Sequence, residues 1–120
     1  MTDDDLILEA AKTLKRVPFS FVGPENARKM LRKIQEGETP EAIVGSEAGR
    51  LNTDFAGAAL LLGAVILQLK TILEVIKLLK EIFGNRKPTV EEVKEKIPAK
   101  SDTLTDDEII KAIEILLRNG

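Results

Sequence analysis

Arg28, Lys29, Arg32 and Lys33 form the densest basic group in this sequence, and on one helix they would present their cations to a short run of phosphates. Asp102, Asp106, Asp107 and Glu108 are the acidic counterpart, oxygen donors of the type that holds a hard divalent cation. Neither pattern is complete. No aromatic side chain stands beside the basic group to stack a base, and the acidic set lacks the alternating donors and central glycine of a calcium loop. The basic group therefore reads as a solvated helix face. The acids read as cap residues set against a helix dipole, as do Asp3 to Asp5 and Glu91, Glu92 and Glu95.

Most enzyme mechanisms lose a component at the level of composition. The sequence has no Cys and no His, which removes thiol catalysis, disulfides, thiolate and imidazole metal ligands and the usual general base. Ser20, between two phenylalanines, has no base beside it in sequence, and Lys70 lies on a polar helix stripe where an ordinary charged amine is expected. No glycine-rich phosphate loop, nucleophile elbow or metal-ligand spacing occurs. No enzyme, metal or cofactor is expected.

The elements that would position such groups belong to one domain, residues 1–120. With 18 Lys+Arg against 20 Asp+Glu, the net charge of −2 gathers neither nucleic acid nor an anionic membrane. The absence of Trp and Tyr argues mildly against a hot-spot binding surface. Thr2 to Asp5 is acidic where a secretory leader is basic, so a cytoplasmic or recombinant protein is expected, neither secreted nor membrane-bound. Phe55 to Leu67 has no polar side chain, but 13 residues fall short of the ~20 that cross a bilayer.

Helix signals recur along the chain. Thr2 caps a first helix with Ile7, Ala10, Ala11 and Leu14 inward and Lys12, Lys15 and Arg16 at its end, stopping before Pro18. Phe19 to Gly23 reads as an extended, packed connector. Gly23-Pro24 opens a second helix with Ala27, Met30, Leu31 and Ile34 inward, ended by Glu36-Gly37. Thr39-Pro40-Glu41 starts a short third helix that Gly45 closes. Ser46 to Thr53 is ambiguous, and a fourth helix runs from about 53 to 83, with Gly84-Asn85 as its stop. Thr89 with Glu92 and Thr105 with Glu108 are capping boxes for two more helices. The fifth carries Val90, Val93 and Ile97 and ends at Pro98; the sixth carries Ile109, Ile110, Ile113, Leu116 and Leu117, with Leu104 and Ile109 as a hydrophobic staple.

The fold class is thus all-α, about six helices in a globular arrangement that is not up-and-down, around a long central helix. That helix, at about 45 Å, exceeds the diameter expected of a compact domain of this length. It either bends at Gly63 or projects beyond the early helices to be covered by the last two. Its first half reads as enclosed, and its second half carries a wet stripe of Lys70, Glu74, Lys77 and Glu81. Carried backward, that stripe becomes Ala56, Ala59 and Gly63, where another helix of the chain, or of a second copy, can approach closely. On the opposite face stand Gly57, Leu61, Ala64, Gln68, Ile72, Val75 and Leu79. Gly57, Leu61, Ala64 and Gln68 are the candidate lining of a small apolar-ligand pocket.

Thr105-Asp106-Asp107-Glu108, Thr89 to Glu92 and Thr39-Pro40-Glu41 give each helix start the same local chemistry. In this the chain resembles computationally designed, de novo helical proteins, in style of construction and in no natural family's motif. Gly57 and Gly63 inside a helix, and helices of unequal length, depart from that style. The resemblance implies a monomeric structural scaffold whose purpose is the fold itself, with no evolved activity and no required partner. The rivals are a protein-interaction module of the death-fold adaptor kind, acting through the charged helix-two patch and an acidic helix-six start, and a carrier of a small apolar ligand.

Overall fold

A computed structural model describes residues 2–14, 18–46, 53–84, 86–97 and 103–119. Among them are seven helices and no strand: α1 (Asp3–Thr13), α2 (Phe19–Val22), α3 (Pro24–Gln35), α4 (Pro40–Ser46), α5 (Thr53–Phe83), α6 (Val90–Lys96) and α7 (Asp106–Asn119). The chain is all-α around one long central helix, and α5 packs against each of the other six.

Local chemistry sets the ends of these elements. Thr2 accepts from the Asp5 N–H while Asp5 accepts from the Thr2 N–H, a full capping box, and Thr89 with Glu92 and Thr105 with Glu108 repeat it. Helix α3 ends in a Schellman turn. Glu38 N–H donates to the Lys33 carbonyl and Gly37 N–H to that of Ile34, with Gly37 at φ 100°.

The expected extended connector at Phe19–Val22 is instead a helical turn. Pro18 caps it, Val22 N–H returns to the Pro18 carbonyl and Gly23 N–H to that of Phe19. Gly23, at φ 95°, then ends α2 and caps α3 at once. Phe19 and Val22, three residues apart, are both buried, and Phe21 between them is exposed. That three-residue period is helical. Helix α4 also runs one residue past Gly45, to Ser46. The expectations for Lys15, Arg16, the segment 47–52, Asn85, Pro98 and Asp102 fall outside the described residues.

Helix α5 is continuous through Gly63, and the molecule measures 49 × 26 × 24 Å. Its long axis is close to the ~46 Å that 31 residues of straight helix occupy. Of the two alternatives, projection with cover from the last two helices is the arrangement seen, because α6 and α7 both pack on α5. Asp3 meets Lys77 and Phe21 meets Phe55, so α1 and α2 run antiparallel to α5 along its side. The buried side chains form one cluster from Leu6 to Leu116, and Leu62, Val65, Ile66, Leu69, Ile72 and Ile76 are its axis.

By length and composition Asp54–Phe83 could cross a membrane, but half of its most apolar window is buried inside the protein. Here it serves as the core. The small-residue strip is covered within the chain: Ala59 and Gly63 are buried, and Ala56 is half-buried. A Cβ at position 63 would lie 2.8 Å from the Met30 Cε and 3.0 Å from the Pro40 Cβ. A second copy would have to displace α3 and α4 to reach Gly63.

Two glycines in one helix should therefore respond oppositely. Nothing lies within 4 Å of a Cβ at position 57, so Gly57→Ala should stabilise by about 0.5–1 kcal/mol through helix propensity alone. Gly63→Leu forces the Pro40 ring away and should destabilise by about 2 kcal/mol or more. Urea unfolding of the two variants reads both signs, and equal effects would contradict the close approach at Gly63.

Candidate functional site

The first half of α5, expected to be enclosed, is open on one side. Leu60 is 37%, Leu67 38%, Leu78 56% and Ile82 67% exposed. Their spacings of 7, 11 and 4 residues are two, three and one helical turns, so the four lie on one face. Ala64, Thr71 and Val75, all half-buried, fill the gaps between them, and exposed Gly57 extends the face toward the N-terminus. A cylinder needs about six neighbours of its own diameter to be surrounded, and the short helices here cannot supply six at every level. The uncovered arc is this stripe.

One edge of the stripe is charged. Lys70 Nζ lies 3.2 Å from Glu74 Oε1, and Lys77, a turn further on, is bonded to Asp3 of α1. Asp3 belongs to a run of three acids that the sequence suggests only as cap and dipole residues. At 100° per residue, neighbouring side chains on α1 point in different directions. Asp3 reaches Lys77 of α5, Asp4 accepts from the Gln35 amide of α3 at 2.6 Å, and Asp5 accepts from Arg28 of α3 at 3.1 Å. Hydrogen bonds from Thr2, through its side chain and then its backbone N–H, together with Arg28, hold the Asp5 carboxyl below its ordinary range.

The other predicted positions are dispersed. Arg28, first of the basic group, turns to Asp5, while Lys29 and Arg32 are exposed along α3. Asp106 and Asp107 are exposed in the first turn of α7, and Glu108 serves the Thr105 cap. Among the described residues no three carboxylates gather as a cation site. Of the proposed pocket lining, Gly57 is exposed and Leu61, Ala64 and Gln68 are half-buried, with the Gln68 amide nitrogen itself enclosed. Gly57 and Ala64 belong to the exposed stripe, and Leu61 and Gln68 lie along its border.

Beyond the end of α5, Arg86 grips Glu92 bidentately, at 2.8 and 2.9 Å, and sits 4.1 Å above the Phe83 ring. This contact ties the α5 end to the α6 cap. Sequence reading assigned Glu92 to its capping box but did not find Arg86. The signal was available: a cation six residues before a capping-box acid and two residues after a helix-ending glycine.

No known protein family matches this chain, and no curated protein or solved structure is similar to it.

The Arg86 guanidinium, and then the Thr89 N–H, pull the Glu92 carboxyl from an ordinary 4.5 down to about 2. Folding therefore favours the ionised form. Its stabilisation is complete above pH 4.5 and is lost as the pH falls toward 2. Asp5, shifted in the same direction, adds to that slope. Urea midpoints should fall between pH 4.5 and pH 2, and Glu92→Gln should flatten part of the fall and lower the midpoint at neutral pH. An unchanged slope in the variant would show that the pair does not stabilise the fold.

Proposed function

We propose that this chain is a non-catalytic helix-docking module, a protein that works by receiving an amphipathic helix on the exposed face of α5. The observation that supports this is the alignment of Leu60, Leu67, Leu78 and Ile82 on one face of a helix whose other faces make the core. Scattered exposed apolar residues are ordinary on a soluble protein, but a continuous stripe along a long helix marks an interaction surface. Such a face takes a partner helix through anchors repeating every three or four residues. This reading keeps the interaction-module expectation but moves its surface from charged patches to an apolar stripe.

A second reading, the structural scaffold resembling designed proteins, is favoured by three complete capping boxes and the Schellman turn. An idealised surface, however, would carry polar residues at positions 60, 67, 78 and 82.

Two measurements separate the readings. A 21-residue helical peptide with leucine at heptad a and d positions, titrated against labelled protein, should shift the methyl resonances of Leu60, Leu67, Leu78 and Ile82. No shift at about 1 mM peptide would rule out helix docking. Guanidinium unfolding with a midpoint above ~5 M, together with a silent peptide titration, would instead favour the scaffold.

A further inference from the structure

Resting on the helix-docking reading, we infer that the occupant of the exposed α5 face is the same face of a second copy of this chain, laid antiparallel about a twofold axis at Thr71. The stripe runs from Leu60 to Ile82, and Thr71 is its midpoint. A twofold interface requires one patch to be complementary to itself. Residues equally far from Thr71 then come level across the pair: Leu60 with the partner's Ile82, Ala64 with the partner's Leu78, and Leu67 with the partner's Val75.

Any helix face is symmetric in spacing about its midpoint, so spacing alone does not select this partner; size and charge do. Ala64, the smallest side chain of the stripe, comes level with one of its largest, Leu78, leaving space where bulk arrives. Thr71 is the one residue that meets itself, and its hydroxyl already donates to the Leu67 carbonyl at 3.1 Å. It brings no unmet polar group to the axis.

Charge fixes the direction. In an antiparallel pair each edge of the face meets the same edge of its copy. Lys70 then comes within two residues, about 3 Å along the axis, of the partner's Glu74, and Glu74 of the partner's Lys70. The ion pair now closed within one helix, Lys70 with Glu74, would be duplicated across the axis. A parallel pair would set that charged edge against the opposite border, where Leu61, Gln68 and Leu79 stand, and desolvate charges without partners. Antiparallel alignment also opposes the two helix dipoles.

The size of the face sets the strength. From Leu60 to Ile82 the helix rises about 33 Å, and with a width of about 10 Å the footprint is about 330 Å² per copy. That is below the ~800 Å² per partner of a stable complex. The pair is therefore weak, and dilute solutions hold the monomer.

Sedimentation equilibrium from about 10 μM to about 1 mM should show the mass rising from 13.2 kDa toward twice that value. Leu78→Lys combined with Ile82→Lys should remain monomeric throughout with unchanged far-UV circular dichroism. Glu74→Lys should weaken association at least about tenfold, and adding Lys70→Glu should restore it. Because the chain has no cysteine, Thr71→Cys should oxidise to a disulfide-linked dimer while Leu60→Cys does not. Crosslinking through Leu60→Cys would mean a parallel pair and overturn the arrangement. A wild-type chain still monomeric at 1 mM would overturn the self-pairing altogether, and the leucine-peptide titration would then decide separately whether the helix-docking reading stands.

Discussion

The structure depends on the cover that one helix requires. Helix α5 is 31 residues long, and buried or half-buried apolar side chains recur along it from Phe55 to Phe83. The other helices run from 4 to 14 residues, so none can lie along α5 from end to end. The chain must therefore tile it. α1 and α2 together follow one side antiparallel, α3 and α4 close over Gly63, and α6 and α7 pack on it after the chain turns back at Gly84. Each capping box and glycine turn is then a point where one tile ends and the next can start at a new angle. Gly23 shows this most directly, because one residue ends α2 and caps α3.

Tiling by short helices needs something to fix where each tile lies, since apolar contact is not directional. The acidic N-terminus of α1 provides it. Asp3, Asp4 and Asp5 occupy successive positions, and the helical rotation sends them to α5, α3 and α3 again, by way of Lys77, Gln35 and Arg28. Each contact is solvent-exposed and worth little by itself. Their value is geometric: a slide or rotation of α1 by one residue would break all three while leaving much of the apolar contact intact. At the far end of α5, the Arg86 to Glu92 grip plays the corresponding part between α5 and α6.

Much of this was legible in the sequence. The limits of α5, two of the three capping boxes, the inward residues of α3 and the close approach at Gly63 follow from rules that act within a few residues of chain. What was not legible shares a different property. The sequence distinguishes apolar from polar positions, and an all-round apolar helix implies that each side wants cover; it does not say how many neighbours arrive. Leu60 and Leu67 were read as enclosed because their own chemistry permits it, and they are exposed because the tiles run out. The three acids of α1 were readable as caps, whereas their partners lie 23 to 74 positions away. The α2 turn was missed for a smaller reason, since four residues between a proline and a glycine carry only one period of pattern.

The exposed stripe also explains why α5 is sharply two-sided where sequence shows little amphipathicity. Core positions such as Leu62, Leu69 and Ile76 are held by the fold, and shortening them would leave cavities that cost a few kcal/mol each. Leu78 and Ile82, more than half exposed, contribute far less to the monomer, and polar side chains there would spare the fold and improve solubility. A chain under selection or design for the fold alone gains nothing by retaining them. The gradient of exposure, rising from Leu60 to Ile82, places the largest unmet apolar area toward the C-terminal end of α5. On the proposed docking, the stripe stays apolar for a contact that the isolated chain does not make, and the Lys70 and Glu74 pair along its edge would select the orientation of the partner.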